Sequence, residues 1–113
     1  MVLSKEKNNH YSWGKGCSGW IMVENEDLCI IEESMPPQTE EQWHYHEKAQ
    51  QFFRVLQGTA TFELEGQLLF LHPGEGIAIP PNTKHRIKND QAVPLEFLVI
   101  STPPTRGDRV ELV

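Results

Sequence analysis

The chain has 113 residues, of which 38% are hydrophobic and 23% charged, with a formal net charge of -6 at neutral pH. This length holds one hydrophobic core, and the composition is that of an ordinary globular domain rather than a disordered or membrane-spanning one. Ten Lys and Arg against sixteen Asp and Glu leave no basic face for phosphate, which argues against nucleic acid as a partner.

Residues 1–16 are polar and punctuated by Asn8, Asn9, Gly14 and Gly16, and are expected to form an arm that orders by packing on a partner. His10 within it reads as a surface histidine. The N-terminus lacks the apolar centre of a signal peptide and no apolar run nears a bilayer span, so a cytoplasmic protein without membrane contact is expected. The barrel proper is expected over 17–103. Cys17 and Cys29 lie too far apart for a CxxC site and read as free thiols. After WIMV, the polar ENED leads into LCIIEESM, which fits a hairpin turning across Asn25 to Asp27.

Pro36 and Pro37 then end regular pairing. QWHYH is extended by pattern, EKAQ is a short polar connection, and QFFRVLQ is a strand closed by Gly58. ATFELEG alternates apolar and polar residues as a strand with one wet face does, and Gly66 turns the chain into QLLFLH. The segment from His72 to Gly76 is a turn by composition, IAI a brief strand, and Pro80-Pro81 a second break before His85 to Asn89. LEFLVIS is the last strong strand, followed by a tail over 104–113. The tail's Arg106-Gly107-Asp108 triplet is a chance match to an adhesion tripeptide. Apolar residues nowhere hold helical spacing, whereas short strands recur about every eight to twelve residues. The fold class is all-β, a sandwich or barrel with little or no helix.

Within Trp43 to Gly58, His44 and His46 stand two apart, and a strand projects such a pair from one face. His85, in a separate proline-rich turn, can approach the same point if the sheet closes. Three converging neutral imidazoles hold a divalent transition metal of the Fe, Mn, Ni, Cu or Zn group. Gln51 would add a weak, uncharged carbonyl donor, leaving the ion its full charge and favouring an anionic second ligand. Each residue has a plainer reading as well: two exposed strand histidines, a loop histidine bonded to backbone, and a polar residue at a strand entrance.

Together these residues resemble the two sequence motifs of the cupins. The first, G-x5-H-x-H-x3-4-E-x6-G, is met by His44, His46 and Gly58, with its glutamate falling on Gln51 and its leading glycine on Gln38. The second, G-x5-P-x-G-x2-H-x3-N, is met by Gly74, Pro80, His85 and Asn89, with its middle glycine on Asn82, a residue type that tolerates the left-handed backbone. The resemblance implies a jelly-roll-like barrel, the double-stranded β-helix, dimeric through its N-terminal strands. It also implies a metal held by His44, His46 and His85, with Gln51 as the departure from the family's fourth ligand.

Around such a site, alternation from Gln51 turns Phe53 and Val55 inward, and alternation from His85 turns Ile87 inward, with Phe97 and Val99 as neighbours on the last strand. The pocket would be small and mainly apolar, although residues of these types serve first as barrel core. The expected function is binding or conversion of a small anionic molecule, with dioxygenase-like chemistry at the metal. A sugar or sugar-phosphate isomerase needs a base, and no motif assigns Glu47, Glu63 or Glu65 to the pocket. A non-catalytic small-molecule binding module is the alternative from another class. A homodimer is expected, because the aromatic stretch from Tyr11 to Trp20 has little of its own chain to pack on.

Overall fold

Strands of two to eight residues, set off by Gly, Pro and Asn turns, assemble into two antiparallel sheets. The computed structural model describes residues 1–7 and 9–112, and no helix occurs among them. One sheet has the order β1 (Asn9–Trp13), β2 (Cys17–Glu24), β3 (Cys29–Met35), β11 (Leu95–Thr102), β6 (Gln50–Gln57), β9 (Gly76–Ile79). The other runs β12 (Arg109–Glu111), β5 (His44–His46), β10 (His85–Asn89), β7 (Ala60–Leu64), β8 (Gln67–Leu71), with the two-residue β4 (Thr39–Glu40) beside β10. This is the all-β class expected from the strand pattern and the jelly-roll-like barrel that the motif resemblance implies. No helix among the described residues is long and apolar enough to cross a membrane.

Alternation along the strands decides what lies inside. On β6 the buried residues are Gln51, Phe53 and Val55; on β10, His85, Ile87 and Asn89; on β11, Leu95, Phe97, Val99 and Ser101. One end of each inward row is polar and the middle apolar, so the barrel divides along its axis. Phe53, Val55, Phe62, Ile79, Ile87, Leu95, Phe97 and Val99 form the packed core with Met35 and Ala60. The histidines and Gln51 lie toward the polar end. Asn89 is fully buried at the other end, where its amide donates to Met35 O (3.0 Å) and Val93 O (2.9 Å) and its Oδ1 accepts from Gln91 N. The last residue of the second motif is thus a brace for the backbone.

The turns show why particular residues stand where they do. Asn25 accepts from the amides of Asp27 and Leu28 and so closes the β2–β3 hairpin. Gly58 has φ +85°, and a Cβ there would come within 2.6 Å of Pro94 O. Gln38 and Asn82, which stand where the motifs carry glycine, keep the left-handed backbone at φ 60° and 63°.

Residues of the expected arm and tail contribute strands. β1 pairs with β2 along its whole length, and β12 pairs with β5. Tyr11 and Trp13 find partners within the chain: Tyr11 Oη donates to Glu33 (2.7 Å) and Trp13 Nε1 to Ser18 O (3.2 Å). The packing argument for a partner subunit therefore loses its premise. Asp108 of the RGD triplet is a structural residue, its carboxylate accepting from the amides of Glu47, Lys48 and Ala49 at 2.9–3.2 Å.

Candidate metal centre

Three short devices bring the histidines together. β5 presents His44 and His46 from one face, both buried. β10 pairs with β5 at a single register position, His85 opposite His44. The turn before His85 is held by Asn82, whose amide donates to His46 O at 2.7 Å. The left-handed backbone at Asn82 thus ties one ligand strand to the other. One ring nitrogen from each of His44, His46 and His85 lies within 4.8 Å of the others, so a single ion can be shared. The ring centroids of His44 and His85 are 4.4 Å apart.

Hydrogen bonds orient two of the rings. His44 Nδ1 and His85 Nδ1 each lie 2.7 Å from a backbone carbonyl, that of Gln42 and of Thr83. A carbonyl can only accept, so these nitrogens carry the proton and the Nε2 lone pairs are left for a ligand. Burial pushes the His44 and His46 imidazoles down to about 4, and lowers His85 as well. All three are therefore neutral at physiological pH, the form that binds a metal.

Orphaned polar atoms complete the test of fit. His46 Nδ1, His85 Nε2 and Gln51 Oε1 are buried without a hydrogen-bond partner. Gln51 Nε2 donates to Ser101 Oγ at 3.1 Å, which leaves the carbonyl oxygen unsatisfied. A buried acceptor without a donor costs about 1–3 kcal/mol, and several in one place are what a bound cation and its waters would satisfy. The residues present fit a divalent transition metal.

The cavity beside the histidines has a volume of about 420 Å³. His44, His46, Gln51, Phe53 and Val99 line it, and the cluster places His85 with its two partners. Val55, Ile87 and Phe97 belong to the packed core instead, one or two strand positions farther along the barrel axis. The expected mainly apolar pocket also carries polar and charged residues that its strand positions did not reveal. Its outer wall carries Tyr11, Trp13, Glu33, Glu40, Glu41, Gln42, Arg109 and Glu111, supplied by the two terminal segments and the β3–β5 stretch. Burial raises Glu41, which Arg109 pairs at 3.4 Å and which stands 3.8 Å from His44 Nδ1. Burial also pushes the Glu33 carboxyl up to about 7. On β3 Glu33 stands within a run of half-buried positions that does not alternate, so no local signal in the sequence marked it.

A family model described as Cupin domain matches residues 31–101. Over 70 residues the chain is 31% identical to an uncharacterised protein of Methanocaldococcus jannaschii, covering 62% of this chain and 56% of that one. The chain thus spans little more than half the length of the curated relative it matches. KdgF from Halomonas sp. superposes with a TM-score of 0.85 at 20% identity, over 95% of this chain and 98% of that one. The polyketide cyclase RemF from Streptomyces resistomycificus does so with a TM-score of 0.86 at 16% identity, over 100% and 85%. At such identities the likeness is one of fold, and function has to be argued from the site.

Proposed function

The chain belongs to the cupin family, and on that footing we propose that it is a metal-dependent enzyme acting on a small molecule held in the cavity beside His44, His46 and His85. What carries this reading is the convergence of three buried, neutral imidazoles, two of them oriented by backbone carbonyls, on one point. When bound, a divalent transition metal supplies Lewis-acid charge to a substrate oxygen. The chain's own residues do the rest. His44 and His85 hold their tautomer through Gln42 O and Thr83 O, and Gln51 presents a carbonyl oxygen held in place by Ser101. Phe53 and Val99 keep the floor of the cavity apolar.

Two kinds of chemistry suit this site. Acid–base conversion of the isomerase kind is favoured by Glu33 and Glu41 on the cavity wall, which supply the carboxyls that Glu47, Glu63 and Glu65 do not. Dioxygenase-like chemistry on an anionic substrate is the second reading. It is favoured by the donor set of three histidines and an amide, which leaves the ion's positive charge undiminished.

Mass spectrometry of protein purified without chelator or histidine tag is expected to find about one transition-metal ion per chain, and a His44→Ala/His85→Ala double variant to lose it. Wild-type protein without metal would overturn the reading. Oxygen uptake with thiols, diketones and catechols in the presence of Fe(II) separates the dioxygenase reading from acid–base chemistry. A ligand that raises the melting temperature but is never converted would identify a binding module instead. Light scattering tests the homodimer, and a 13 kDa particle at micromolar concentration would refute it.

A further inference from the structure

Tyr11, Gly19 and Glu33 occupy one cross-strand row, Tyr11 opposite Gly19 on β2 and Gly19 opposite Glu33 on β3. In an ordinary row the middle side chain would separate the outer two. Here the middle residue is glycine, and a Cβ in its place would run into the Tyr11 ring. The phenol therefore lies across Gly19 and donates to Glu33 Oε2 at 2.7 Å. Both residues line the cavity that holds His44, His46 and Gln51. Tyr11 engages one carboxyl oxygen only, and burial holds its own phenol protonated. It acts as a fixed donor that aims the carboxyl.

Resting on the metal-centre reading above, we propose that Glu33, positioned by Tyr11, is the proton-transfer carboxyl of this cavity, acting on the C–H bond beside the carbonyl of a small hydroxylated compound. The wall chemistry selects that class. Four carboxyls, Glu33, Glu40, Glu41 and Glu111, offer acceptors to hydroxyl groups. Arg109, the only Lys or Arg among the described lining residues, is already paired with Glu41, so a hydroxylated compound with at most one carboxylate suits the cavity.

In the step, the C–H bond breaks and its proton passes to Oε1 of the Glu33 carboxylate. The bonding pair becomes the C=C bond of an enolate, and the carbonyl π pair comes to rest on oxygen. Return of a proton to the same carbon restores the substrate. Its return to the neighbouring, former carbonyl carbon, with the hydroxyl proton moving from the oxygen of the carbon that lost hydrogen to the former carbonyl oxygen, gives the isomer. A carboxyl pushed up to about 7 is present in both forms at neutral pH, as a group that takes and returns a proton must be. Burial sets its titration first, followed by the hydrogen bond from Tyr11 on β1, Glu41 from the segment before β5 and Arg109 from β12, while its own charge bears on the nearby thiols of Cys17 and Cys29.

The test follows proton exchange in D2O by NMR, with Mn(II)- or Zn(II)-loaded protein and four probes: dihydroxyacetone, D-ribose, D-glucuronate and pyruvate. Wild type is expected to exchange the C–H beside the carbonyl of at least one probe tenfold or more above the metal-only rate. Glu33→Gln is expected to fall to that background with its metal content unchanged. Tyr11→Phe should keep exchange but move its pH midpoint upward, because the lost hydrogen bond stabilised the carboxylate. The metal-free protein gives a readout independent of turnover. With carbon-13 at the glutamate carboxyl, one signal absent from Glu33→Gln should titrate near neutrality, and higher in Tyr11→Phe. Equal exchange by Glu33→Gln, no exchange of any probe by metal-loaded wild type, or a Glu33 midpoint in the ordinary carboxylate range overturns the proposal. Wild type that retains no metal overturns the metal centre itself, and this proposal with it.

Discussion

Removing the Asp108 carboxylate should loosen the connection between two candidate ligands. Residues 47–49 join His46 to the strand carrying Gln51, and the amides of Glu47, Lys48 and Ala49 all point at this one side chain. Hydrogen bonds to a charged group contribute about 1.5–3 kcal/mol each when shielded, and less where water can substitute. The amides of Glu47 and Lys48 are at the surface, so each is worth about 0.5 kcal/mol, whereas Ala49 is buried and its amide would be left without an acceptor. Asp108→Ala is therefore expected to cost about 2–4 kcal/mol. For a domain of this size that is a fall of roughly 8–16 °C in melting temperature. Calorimetry of the metal-free protein measures it, with Arg106→Ala as the comparison. Arg106 makes only an exposed ion pair with Glu24, and its loss should change stability by less than about 0.5 kcal/mol. Metal retention in Asp108→Ala should fall as well, because the ligands on either side of the loosened loop lose their fixed spacing. A melting temperature within 2 °C of wild type, taking that as about 0.5 kcal/mol, would refute the latch.

Gln38→Gly should stabilise the protein by about 0.5 kcal/mol, since relief at φ 60° outweighs loss of exposed hydrogen bonds to Asp90 O and Gln91 O; denaturant unfolding that shows a loss above 1 kcal/mol reverses that balance. Gln51→Glu should strengthen divalent-metal retention by placing a charged oxygen where Oε1 is unsatisfied, and unchanged affinity in a chelator competition would mean that this side chain does not face the ion. In the metal-free protein, His44 and His46 are lowered to about 4, so the stability they contribute is complete above the unfolded value near 6.5 and lost as pH falls through 4. Glu33 is raised to about 7 and works in the opposite sense, its contribution being lost as pH rises from about 4.5 through 7. Glu33→Gln should accordingly match wild type near pH 4 and exceed it at pH 8, by roughly 1–3 kcal/mol in urea unfolding. A variant weaker than wild type at pH 8 would contradict the burial of that carboxyl.

The parts of the site legible in the sequence are those that depend on strand period and turn chemistry. His44 and His46 share a face because side chains alternate, and Pro80, Asn82 and His85 form a turn whose backbone conformation restricts which residues it admits. The same period correctly turns Val55, Ile87 and Phe97 inward, yet it carries no information about depth along the barrel axis, and these three fall in the core below the cavity. Depth depends on stagger between strands, which only the pairing register supplies.

The cavity wall was illegible for a related reason. Tyr11, Glu33 and Arg109 are separated by up to 98 positions and meet because β1 and β12 close over the polar end of the barrel. In a chain read locally, the terminal segments are the most polar and the least patterned, so they resemble an arm and a tail. Their polarity instead lines a cavity, and Gly19 is the one residue whose choice makes sense only there, since a strand glycine with a ring laid across it trades strand propensity for close approach. On the proposed reading, the histidines identify the family while Tyr11 and Glu33, outside its two motifs, bear the proton-transfer chemistry. Chains sharing the three histidines but differing at the positions of Tyr11, Gly19 and Glu33 should hold the same ion and differ in what they do with a substrate proton.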